Sequence, residues 1–404
     1  MGRVAVYIDQ RFVRDERGVS TQRNFIDYLN AVAASADGMV LLGRLDPRPG
    51  REAHEVGPHV DFRPLPWYDK AHDVRAVAQA LGRSVAAFRE ALSEVDVVWL
   101  FGPYPLAFVF AAIARARGVR VVLGVRQDLP RYVANRHPGR RAVHLAATAL
   151  EHGYRRLARR HAAVVVGPDL ARNYADAGRL LDVNVSLVRA RDVAIAPAAP
   201  CWETRASLQL LSVGRLDAEK NPAMLADVLA GLRVQDPRWR LTVCGEGGRR
   251  AALEARAAEL GVGEHIRMLG YVAGEELAAL YRESDAFLHV SWTEGVPQVL
   301  FEAFAAGLPV VGTAVGGVPA VAGDAALLAP PGDPGLLVEH VQRLAAEPGL
   351  RDELVRRGAK IAWDNTLEAE SGRVAAFLGV ARPPADLHRL PVPGSTGNAR
   401  RRAA

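Results

Sequence analysis

The chain has 404 residues, which is too many for one ordinary domain and fits two domains of roughly 150 to 200 residues each. Hydrophobic residues make up 50% of it and charged residues 24%, as in an average globular protein, and no apolar run reaches the roughly 18 residues of a membrane-spanning helix. The net charge of +6 is spread along the chain without a recognised nucleic-acid-binding motif, which argues against a nucleic acid as partner.

The amino terminus and the rare residue types narrow the class further. The first residues enter a strand pattern directly, without the apolar segment of a signal peptide, so a cytoplasmic protein is expected. The two cysteines, Cys201 and Cys244, fit neither a disulfide framework nor a metal ligand set, and we expect ordinary core or surface thiols. Only three of the 51 basic residues are lysines, Lys70, Lys220 and Lys360, so a lysine inside a motif carries extra weight.

Short Val- and Leu-rich runs alternate with longer helical patterns from one end of the chain to the other, which is typical of repeated βα units and mostly parallel sheets. In the first half, strands are predicted at 4–8, 39–42, 97–101, 119–123 and 163–166. In the second half, strands are predicted at 208–213, 240–244, 266–269, 286–290 and 309–313. The pattern predicts an α/β protein with two doubly wound, Rossmann-like domains.

Proline-rich stretches mark the predicted boundaries. Residues 192–201 are rich in Pro and Ala and precede a fresh strand, which indicates a linker, so we place the domain boundary near residue 198. The two domains are therefore expected at 1–198 and 199–365. Residues 381–404 contain four prolines and end in a run of arginines, so this tail cannot build a core and is expected to be disordered.

Two cations follow the first strand of the second half. Gly214 and Arg215 end the strand pattern, Lys220 lies five residues further on, and a helix is expected to start near Asn221. A βα loop lies at the carboxyl edge of its sheet, where open α/β sheets bind ligands, so Arg215 and Lys220 are candidates to neutralise a diphosphate. A solvated loop with a surface arginine and lysine is the alternative.

Two later loops of this half carry weaker signals. Gly245, Gly247 and Gly248 follow the next strand but lack the G-x-G-x-x-G spacing of a dinucleotide fingerprint, so a tight turn is the better interpretation. Tyr271 and Val272 follow the strand after it. Their backbone groups are placed either to contact the edge of a base or to form a plain connection.

Two carboxylates bracket the start of a later helix. Glu294 ends a strand and precedes the turn 295–297, in which Pro297 suits the first helical position, and Glu302 lies about one and a half turns into the helix. Such a pair is suited to holding opposite ends of a nucleotide sugar. The pair Gly316-Gly317 follows the next strand, and its free backbone N–H groups are suited to cradling phosphate oxygens.

The order of these motifs resembles a known family. The similarity is to the carboxy-terminal domain of the retaining GT-B glycosyltransferases of family 4, and it covers residues 207–365. It is carried by Gly214-Arg215 with Lys220-Asn221, by Glu294-Gly295-x-Pro297, by Glu302-Ala303, by Gly307-x-Pro309-Val310 and by Gly316-Gly317. Residues 362–366 resemble the family's closing helix, which implies that 366–380 pack back on the first domain.

The resemblance implies a GT-B fold in which residues 1–198 bind the acceptor and residues 199–365 bind a nucleotide-sugar donor. Arg215 and Lys220 would bind the donor diphosphate and stabilise the leaving group, Glu294 would contact the donor sugar, and Glu302 the ribose. The other donor-site residues implied in this way are Gly214, Tyr271, Val272, Gly295, Val296 and Pro297, with backbone donors at Gly316 and Gly317.

The implied reaction is the transfer of a hexose or N-acetylhexosamine with retention, by front-face attack. The donor would be a UDP- or GDP-sugar and the acceptor a small molecule or glycolipid. Its catalytic residues would be Glu294, Arg215, Lys220 and Asp128. No tightly bound cofactor and no essential metal ion are expected, because the chain has no D-x-D triplet and no His, Asp and Glu residues at ligand spacing.

The first half departs from the family after its first strand. Residues 16–22 stand where a glycine-rich loop is expected, and Gly18 is the candidate for a backbone contact to the donor phosphate. Ser20 or Thr21 would then cap the next helix. A tight turn is the alternative for Gly18.

A second departure lies at residues 123–130, where many relatives have a histidine. Arg126 and Asp128 stand nearest to that position in this chain. They are interpreted either as contacts to the sugar or acceptor, or as a solvated Arg–Asp pair.

An arginine-rich segment follows at 126–161, with nine arginines and four histidines against only two acids. Leu150, Tyr154 and Leu157 share one face of a predicted helix, so the helix is amphipathic. It would seat the protein peripherally on the inner face of a membrane or steer a phosphorylated acceptor. The interpretation we favour is a helix packed on the sheet with a charged outer face.

Two other functions fit parts of this pattern. A nucleotide-sugar epimerase of the same architecture would share the fold, and a nucleotide-sugar-binding protein without activity would share the donor motifs. The complete donor motif favours the transferase. The sugar, the base and the acceptor are not specified by the sequence.

Overall fold

The computed structural model describes residues 2–68, 74–136, 139–194 and 202–381. Within the described residues the chain forms two compact units, one from residues 2–187 together with 367–381, and one from residues 188–366. The division at 187/188 falls before the predicted boundary near residue 198. Cys201, Lys70 and the predicted tail beyond Ala381 lie outside the described residues.

The first unit is built, within the described residues, on a sheet of nine strands. They are β1 (Val4–Asp15), β2 (Gly18–Thr21), β3 (Met39–Leu45), β4 (His54–Glu55), β5 (Val60–Leu65), β6 (Val97–Gly102), β7 (Arg120–Val125), β8 (Ala162–Val166) and β9 (Arg179–Val183). Seven of them run parallel in the order β5-β3-β1-β6-β7-β8-β9. At the carboxyl end of β1, β2 pairs antiparallel with β1, and β4 pairs antiparallel with β2.

The helices of this unit alternate with its strands along the chain. They are α1 (Phe25–Ala34), α2 (Val74–Ala91), α3 (Pro105–Ala116), α4 (Leu129–Arg136), α5 (Arg141–Ala158) and α6 (Pro168–Asn173). The strands that sequence reasoning missed, β2, β4, β5 and β9, are short or partly exposed. In β5, for example, Asp61, Arg63 and Pro64 interrupt the apolar run on which strand prediction relied.

The second unit is an all-parallel sheet of six strands, within the described residues, in the order β12-β11-β10-β13-β14-β15. The strands are β10 (Leu208–Val213), β11 (Trp239–Cys244), β12 (Ile266–Gly270), β13 (Ala286–His289), β14 (Val310–Thr313) and β15 (Ala326–Ala329). The helices are α7 (Met224–Gln235), α8 (Arg250–Glu259), α9 (Gly274–Glu283), α10 (Gln298–Ala305), α11 (Val318–Ala322), α12 (Pro334–Ala346) and α13 (Pro348–Asp364). The five strands predicted here are present to within one residue, because each is rich in apolar residues.

The last helix, α14 (Leu367–Leu378), belongs to the first unit and packs on α1. Side chains alternate along β1, so Val4 and Val6 share a core with α1 and α14, while Ala5 and Tyr7 face the core on the opposite side of the sheet. Both faces of the sheet are therefore covered, as expected for a doubly wound domain.

In each sheet the strand order reverses at one place. In the second unit this place lies between β10 and β13, because the chain moves from β10 outward through β11 and β12 and then returns to β13. In the first unit it lies between β1 and β6. Loops that leave the strands at such a reversal diverge and open a crevice at the carboxyl edge, which is where open α/β sheets bind ligands.

Candidate functional site

The two loops at the strand-order reversal of the second unit bring Lys220 and Glu294 together. Lys220 lies in the loop after β10 and Glu294 in the loop after β13. The lysine Nζ is 2.6 Å from Oε1 and 2.7 Å from Oε2 of the carboxylate. Residues that were singled out in separate motifs therefore form one ion pair in the predicted crevice.

The Glu294 carboxylate accepts two further hydrogen bonds from the end of β13. Nε2 of His289 lies 2.9 Å from Oε1, and Oγ of Ser291 donates to the same oxygen at 2.6 Å. Burial of the carboxylate opposes its ionisation, but His289 and Lys220 outweigh that effect and lower the pKa of Glu294 to about 2. Glu294, whose side chain is 7% exposed, is therefore a fixed and ionised acceptor at neutral pH.

Sequence reasoning did not single out His289 or Ser291. The available signal was a polar residue inside the apolar strand β13, since a buried imidazole requires a partner. Because an ionised carboxylate only accepts hydrogen bonds, Nε2 of His289 carries the hydrogen that it donates to Glu294. Nδ1 of His289 is buried and has no hydrogen-bond partner among the described residues.

The loop that carries Lys220 is tighter than predicted. Ala218–Lys220 form a 3-10 turn and Asn221 adopts a left-handed backbone with φ of 50°. Helix α7 consequently begins at Met224 and not near Asn221. The backbone N–H of Trp292 donates to the carbonyl oxygen of Glu219 at 2.8 Å, which ties the loop after β10 to the loop after β13.

Arg215 does not join Lys220 in a cation pair. Its guanidinium is 66% exposed and pairs with two acids of its own loop, Asp217 and Glu219, the second at 2.7 Å. Burial opposes the ionisation of Glu219, but its own backbone amide, Arg215 and Lys220 lower its pKa. The two predicted diphosphate ligands thus flank one acid, Glu219.

Glu302 lies in α10 and is held differently from Glu294. Helix α10 begins at Gln298 with Pro297 as its N-cap, one position earlier than predicted for Pro297. The hydroxyl of Tyr281 donates to Oε2 of Glu302 at 2.8 Å. Burial raises the pKa of Glu302, and this single hydrogen bond offsets only part of the rise.

Close backbone contacts between neighbouring loops explain three of the glycines. A Cβ at Gly245 would lie 1.8 Å from the carbonyl oxygen of Gly214, and a Cβ at Gly316 would lie 1.9 Å from that of Glu294. A Cβ at Gly317 would lie 2.0 Å from the carbonyl oxygen of Gly295, to which the Gly317 amide donates at 3.0 Å. The expectation that the Gly317 amide is free to bind phosphate is therefore wrong, because it fixes the Glu294 loop.

The remaining predicted positions of this unit lie at its surface or in its core. Tyr271 follows β12 and is 75% exposed, whereas Val272 is half-buried. Cys244 is buried at the end of β11, and burial raises the pKa of its thiol to about 11. Of the two alternatives predicted for Cys244, a core or a surface thiol, the structure shows the core thiol.

In the first unit, Gly18 lies in a β-hairpin. β1 continues to Asp15 and pairs with β2 from Gly18 onward, so residues 16–22 do not form a phosphate loop. The Asp15 carboxylate accepts from the amides of Arg17 and Gly18 at 2.9 and 3.1 Å. The tight turn is therefore the correct interpretation, because the Gly18 amide is already bonded to Asp15.

The predicted helix cap after this hairpin is wrong. The N-cap of α1 is Asn24, not Ser20 or Thr21. The Ser20 hydroxyl accepts from the amide of Glu52, and the Thr21 hydroxyl donates to the carbonyl oxygen of Arg11. Both hydroxyls therefore stabilise the hairpin and not the helix.

Arg126 and Asp128 are not an Arg–Asp pair. Oδ1 of Asp128 accepts from the amide of Arg131 at the start of α4, and its Oδ2 accepts from Asn173 at 3.3 Å. The Arg126 guanidinium instead lies over Phe25, 4.1 Å from the ring centroid. A solvated ion pair between the two residues is thus excluded, and the catalytic role of Asp128 stays a prediction.

The predicted amphipathic helix is α5. Its buried residues are Ala147, Glu151, Tyr154 and Ala158, and Leu150 and Leu157 are half-buried, so much of the helix packs on the sheet as favoured above. At its amino-terminal half, Leu145 is 72% exposed and Val143 is 37% exposed. The helix therefore has a packed face and an apolar exposed segment.

The described residues contain neither a cluster of metal-ligating side chains nor a helix that could span a membrane. No group of three or more His, Cys, Asp and Glu side chains is placed to hold a metal ion. No helix in the described ranges is long and apolar enough to cross a membrane.

Comparison with protein families matches residues 205–361 to the family described as glycosyl transferases group 1. Curated relatives include the D-inositol 3-phosphate glycosyltransferase of Salinispora arenicola, 35% identical over 184 residues, with 41% of each chain covered. The protein of the same name from Actinosynnema mirum is 34% identical over 214 residues, covering 48% of this chain and 47% of the relative. The chain thus spans about half the length of the curated relatives it matches, or less.

Solved structures match over nearly the whole chain. Sucrose-phosphate synthase from Thermosynechococcus elongatus has a TM-score of 0.65 at 19% identity, with 93% of this chain and 98% of that chain covered. Anabaena Alr3699/HepE in complex with UDP has a TM-score of 0.67 at 15% identity, with 94% and 100% covered. These similarities confirm the predicted GT-B fold. The family match at residues 205–361 overlaps the stretch 207–365 on which the resemblance was based.

Proposed function

We propose that this chain, which carries a group 1 glycosyltransferase domain at residues 205–361 within a GT-B fold, transfers a sugar from a nucleotide-diphosphate sugar to an acceptor hydroxyl. The observation that carries the proposal is the Lys220–Glu294 pair at the strand-order reversal of the second unit. A cation and an ionised acid fixed in one crevice match the two ends of a sugar diphosphate.

Lys220 is the principal ligand of the donor diphosphate in this proposal. Its ammonium carries three N–H donors, so it retains a hydrogen bond to Glu294 while the others face the phosphates. Arg215 adds a second cation once its guanidinium leaves Asp217 and Glu219, which its exposure permits. The positive charge acts on the negative charge that develops on the leaving diphosphate, so no metal ion is required for this step.

Glu294 and Glu302 hold the two ends of the donor. Lys220, His289 and Ser291 orient the Glu294 carboxylate, which accepts hydrogen bonds from the hydroxyls of the transferred sugar. Tyr281 occupies Oε2 of Glu302 and leaves Oε1 for the ribose hydroxyls. Tyr271 and Val272 lie beside the base, Gly214 and residues 295–297 complete the donor site, and Gly18, held in its hairpin, is not a phosphate ligand in this proposal.

The transfer proceeds with retention of configuration. The acceptor hydroxyl attacks the anomeric carbon from the face that the diphosphate leaves, and its proton passes to an oxygen of the departing phosphate. The bond from the anomeric carbon to the phosphate oxygen breaks as the new glycosidic bond forms. Fixed cations beside the phosphate stabilise this charge separation without reorganising.

The donor and acceptor classes are drawn from the relatives. Two of the solved neighbours are complexes with UDP and glucose and with UDP-2-fluoro glucose, which supports a UDP-sugar as the first donor to test and a GDP-sugar as the second. The curated relatives are named for a phosphorylated inositol, which supports a small polar acceptor, with a glycolipid as the alternative.

Thermal shift with UDP, GDP, ADP and dTDP sugars tests the donor assignment, because a ligand that binds only the folded state raises its apparent stability. The same panel is then assayed for nucleotide release with Glu294→Ala and Lys220→Ala. Loss of nucleotide release in both variants supports the transferase. Unchanged turnover in both variants would contradict the transferase proposal. An epimerised donor as product would favour an epimerase. Nucleotide binding without turnover would favour an inactive binding protein.

A peripheral membrane contact is proposed for the segment 126–161. Tyr132, Val143 and Leu145 are exposed apolar side chains among the arginines of α4 and α5, a composition suited to an anionic lipid surface. Leu145→Glu is expected to reduce co-sedimentation with vesicles that contain phosphatidylglycerol. Val234→Glu, at an exposed valine of the second unit, is the matched control, and equal binding of both variants would refute the contact.

A further inference from the structure

Arg126, the residue after β7, is a cation without a carboxylate partner in the described part of the chain. The groups that act on its charge are the hydroxyl of Tyr104 and a second arginine, Arg23, and neither is an acid. Burial lowers the pKa of the Arg126 guanidinium, and the positive charge of Arg23 lowers it further. Placing an unpaired cation in such a position costs free energy, so a structural role alone does not account for it.

The two acids that could be expected to pair with Arg126 are Asp128, which is near it in sequence, and Asp9, which acts on the charge of Tyr104. Both bond to other groups. Asp128 accepts from the amide of Arg131 and from Asn173, as described above, and lies 3.9 Å from Arg155. Asp9 influences the charge of Tyr104 but pairs with Arg44 at 2.5 Å. Neither acid is placed to neutralise Arg126.

Aromatic rings hold the Arg126 guanidinium in place. Its central carbon lies 4.1 Å from the ring centroid of Phe25 and 5.6 Å from that of Phe101. These two rings meet edge to face, with centroids 5.3 Å apart, and both belong to the core of the first unit. A guanidinium stacked on a ring is attracted through its face while the N–H groups at its edge stay available for a ligand.

The position of this cation in the fold is that of a ligand site. Arg126 follows β7, and Tyr104 follows the neighbouring strand β6, so both stand at the carboxyl edge of the first sheet. β6 is one of the two strands at which the strand order reverses. The hydroxyl of Tyr104 interacts with the charge of the guanidinium and adds a neutral donor at the same edge.

We propose that Arg126, seated on Phe25 and assisted by Tyr104, binds an anionic oxygen group on the acceptor, with a phosphate monoester as the favoured class. Among the described residues, Arg126 and Arg23 act together without an acid partner for Arg126, which matches the double charge of a phosphate, and the fork of a guanidinium matches two phosphate oxygens. The inference deepens the proposed function and rests on it, since it assigns this ligand to the acceptor. Arg126 is a specificity-determining residue in this assignment.

The test measures binding of inorganic phosphate, glucose 6-phosphate, glucuronate and glucose to the full chain by calorimetry, with UDP at saturation so that Lys220 is occupied. Wild-type protein is expected to bind glucose 6-phosphate more tightly than glucose. Arg126→Met, which keeps the contact with Phe25 but removes the charge, is expected to weaken that binding roughly tenfold or more. Arg126→Lys, which keeps the charge without the fork, is expected to fall between the two.

Arg117→Gln is the matched control, because Arg117 is an exposed arginine of the first unit at the end of α3, away from the carboxyl edge. It should bind all four probes as the wild type does. Equal binding of glucose 6-phosphate and glucose by the wild type, or equal affinities of Arg126→Met and wild type for glucose 6-phosphate, would overturn the proposal. Tighter binding of glucuronate than of glucose 6-phosphate would overturn the preference for phosphate.

A lipid phosphate is a second source of the same chemistry. Binding to vesicles that contain phosphatidate, lost in Arg126→Met but retained in Arg117→Gln, would support the anion site and assign it to a lipid. The proposed function fails separately, through absence of nucleotide binding and of nucleotide release in the wild type. The dependence of phosphate binding on Arg126 can be read in either case.

Discussion

At the carboxyl edge of the second sheet, the Lys220 ammonium and the Glu294 carboxylate neutralise each other at 2.6 Å. At the same edge of the first sheet, Arg126 lies on Phe25 and pairs with no acid among the described residues. A counter-ion fixes the direction of a charged side chain and also neutralises its charge. An aromatic ring fixes the plane of a guanidinium but leaves its charge for a ligand. The edge of the second sheet is therefore organised before any ligand binds, and the edge of the first sheet carries a charge that a ligand can neutralise.

The backbone is also more tightly organised at the carboxyl edge of the second sheet than at that of the first. In the second unit, glycines allow the loops after neighbouring strands to touch, as at Gly245 against Gly214 and Gly316 against Glu294. In the first unit, the loop after β1 is replaced by a hairpin that pairs with its own strand. Substitutions that separate these two arrangements test the comparison directly.

Lys220→Ala is expected to have the largest effect. It removes the cation that we propose as the diphosphate ligand and leaves the buried carboxylate of Glu294 without its counter-ion, so nucleotide release from the donor is expected to fall on the order of 10²- to 10³-fold. The folded state is also destabilised, since a buried charge has lost its partner. Initial rates of nucleotide release and the thermal midpoint measure the two consequences.

Lys360→Ala is the control for this prediction. Lys360 lies in α13 of the same unit, is 73% exposed and pairs with Asp364 one helical turn away. An exposed pair of this kind contributes less than about 1 kcal/mol. If Lys360→Ala lost as much activity as Lys220→Ala, the effect would not belong to the pair with Glu294.

Gly316→Ala should destabilise the second unit by about 3 kcal/mol, because the new Cβ would overlap the carbonyl oxygen of Glu294 and φ at Gly316 is 51°. Gly261→Ala isolates the steric part. Gly261, just after α8, also has a positive φ, of 68°, but no atom lies within 4 Å of the position of its Cβ. Its expected cost is about 1 kcal/mol, from the backbone conformation alone. Urea unfolding of both variants gives the difference, and equal losses would mean that the Glu294 loop moves freely.

The acid stability of the protein should depend on Glu294. Its pKa is lowered to about 2 in the folded state, so its contribution to stability is complete above the unfolded pKa of about 4.5 and is lost as the pH falls from there towards 2. The loss amounts to about 3 kcal/mol by the same relation. Unfolding free energies of wild type and Glu294→Gln should converge across this window, and a constant difference between them would contradict the assignment.

Glu370 in the first unit is expected to show the opposite pH dependence. It is fully buried on α14, where it accepts from the amide of Asn184 and from Arg373, and burial outweighs Arg373 and raises its pKa to about 7. The unfolded chain therefore ionises first, and stability is lost as the pH rises from about 4.5 to about 7. Glu370→Gln should gain up to about 3 kcal/mol over wild type at pH 8 and little at pH 4.5. A gain that does not change with pH would show that Glu370 stays ionised.

The sequence was sufficient for the fold class and for singling out both members of the ion pair in the second unit. Buried parallel strands such as β10 and β13 are predicted from their apolar runs, and Lys220 and Glu294 stood out because each follows such a strand. The contact between the two side chains was not predicted, because it depends on β10 and β13 being neighbours in the sheet.

The sequence did not reveal features that depend on partners distant in the chain. His289 and Ser291 gain meaning only because the Glu294 carboxylate folds back onto the end of β13. Gly18 was interpreted as part of a loop because the apolar run that predicts β1 ends at Ile8. The strand itself continues to Asp15, and Gly18 belongs to a hairpin that forms only through the pairing of β1 with β2. Arg126 looked like the partner of Asp128, two residues away, but lies on rings contributed by α1 and β6.

Arg215→Ala is expected to have the smallest effect of these substitutions on stability, and it sharpens the contrast with Lys220. Its guanidinium is 66% exposed and pairs with Asp217 and Glu219 on its own loop, so the stability change should stay below about 1 kcal/mol. Activity should fall by more than this, because binding of the diphosphate draws Arg215 away from those acids and uses its charge. Nucleotide release and urea unfolding, measured on the same preparation, give the two values. A loss of stability as large as that of Lys220→Ala would mean that Arg215 is a structural cation, and the second cation of the donor site would have to be sought elsewhere.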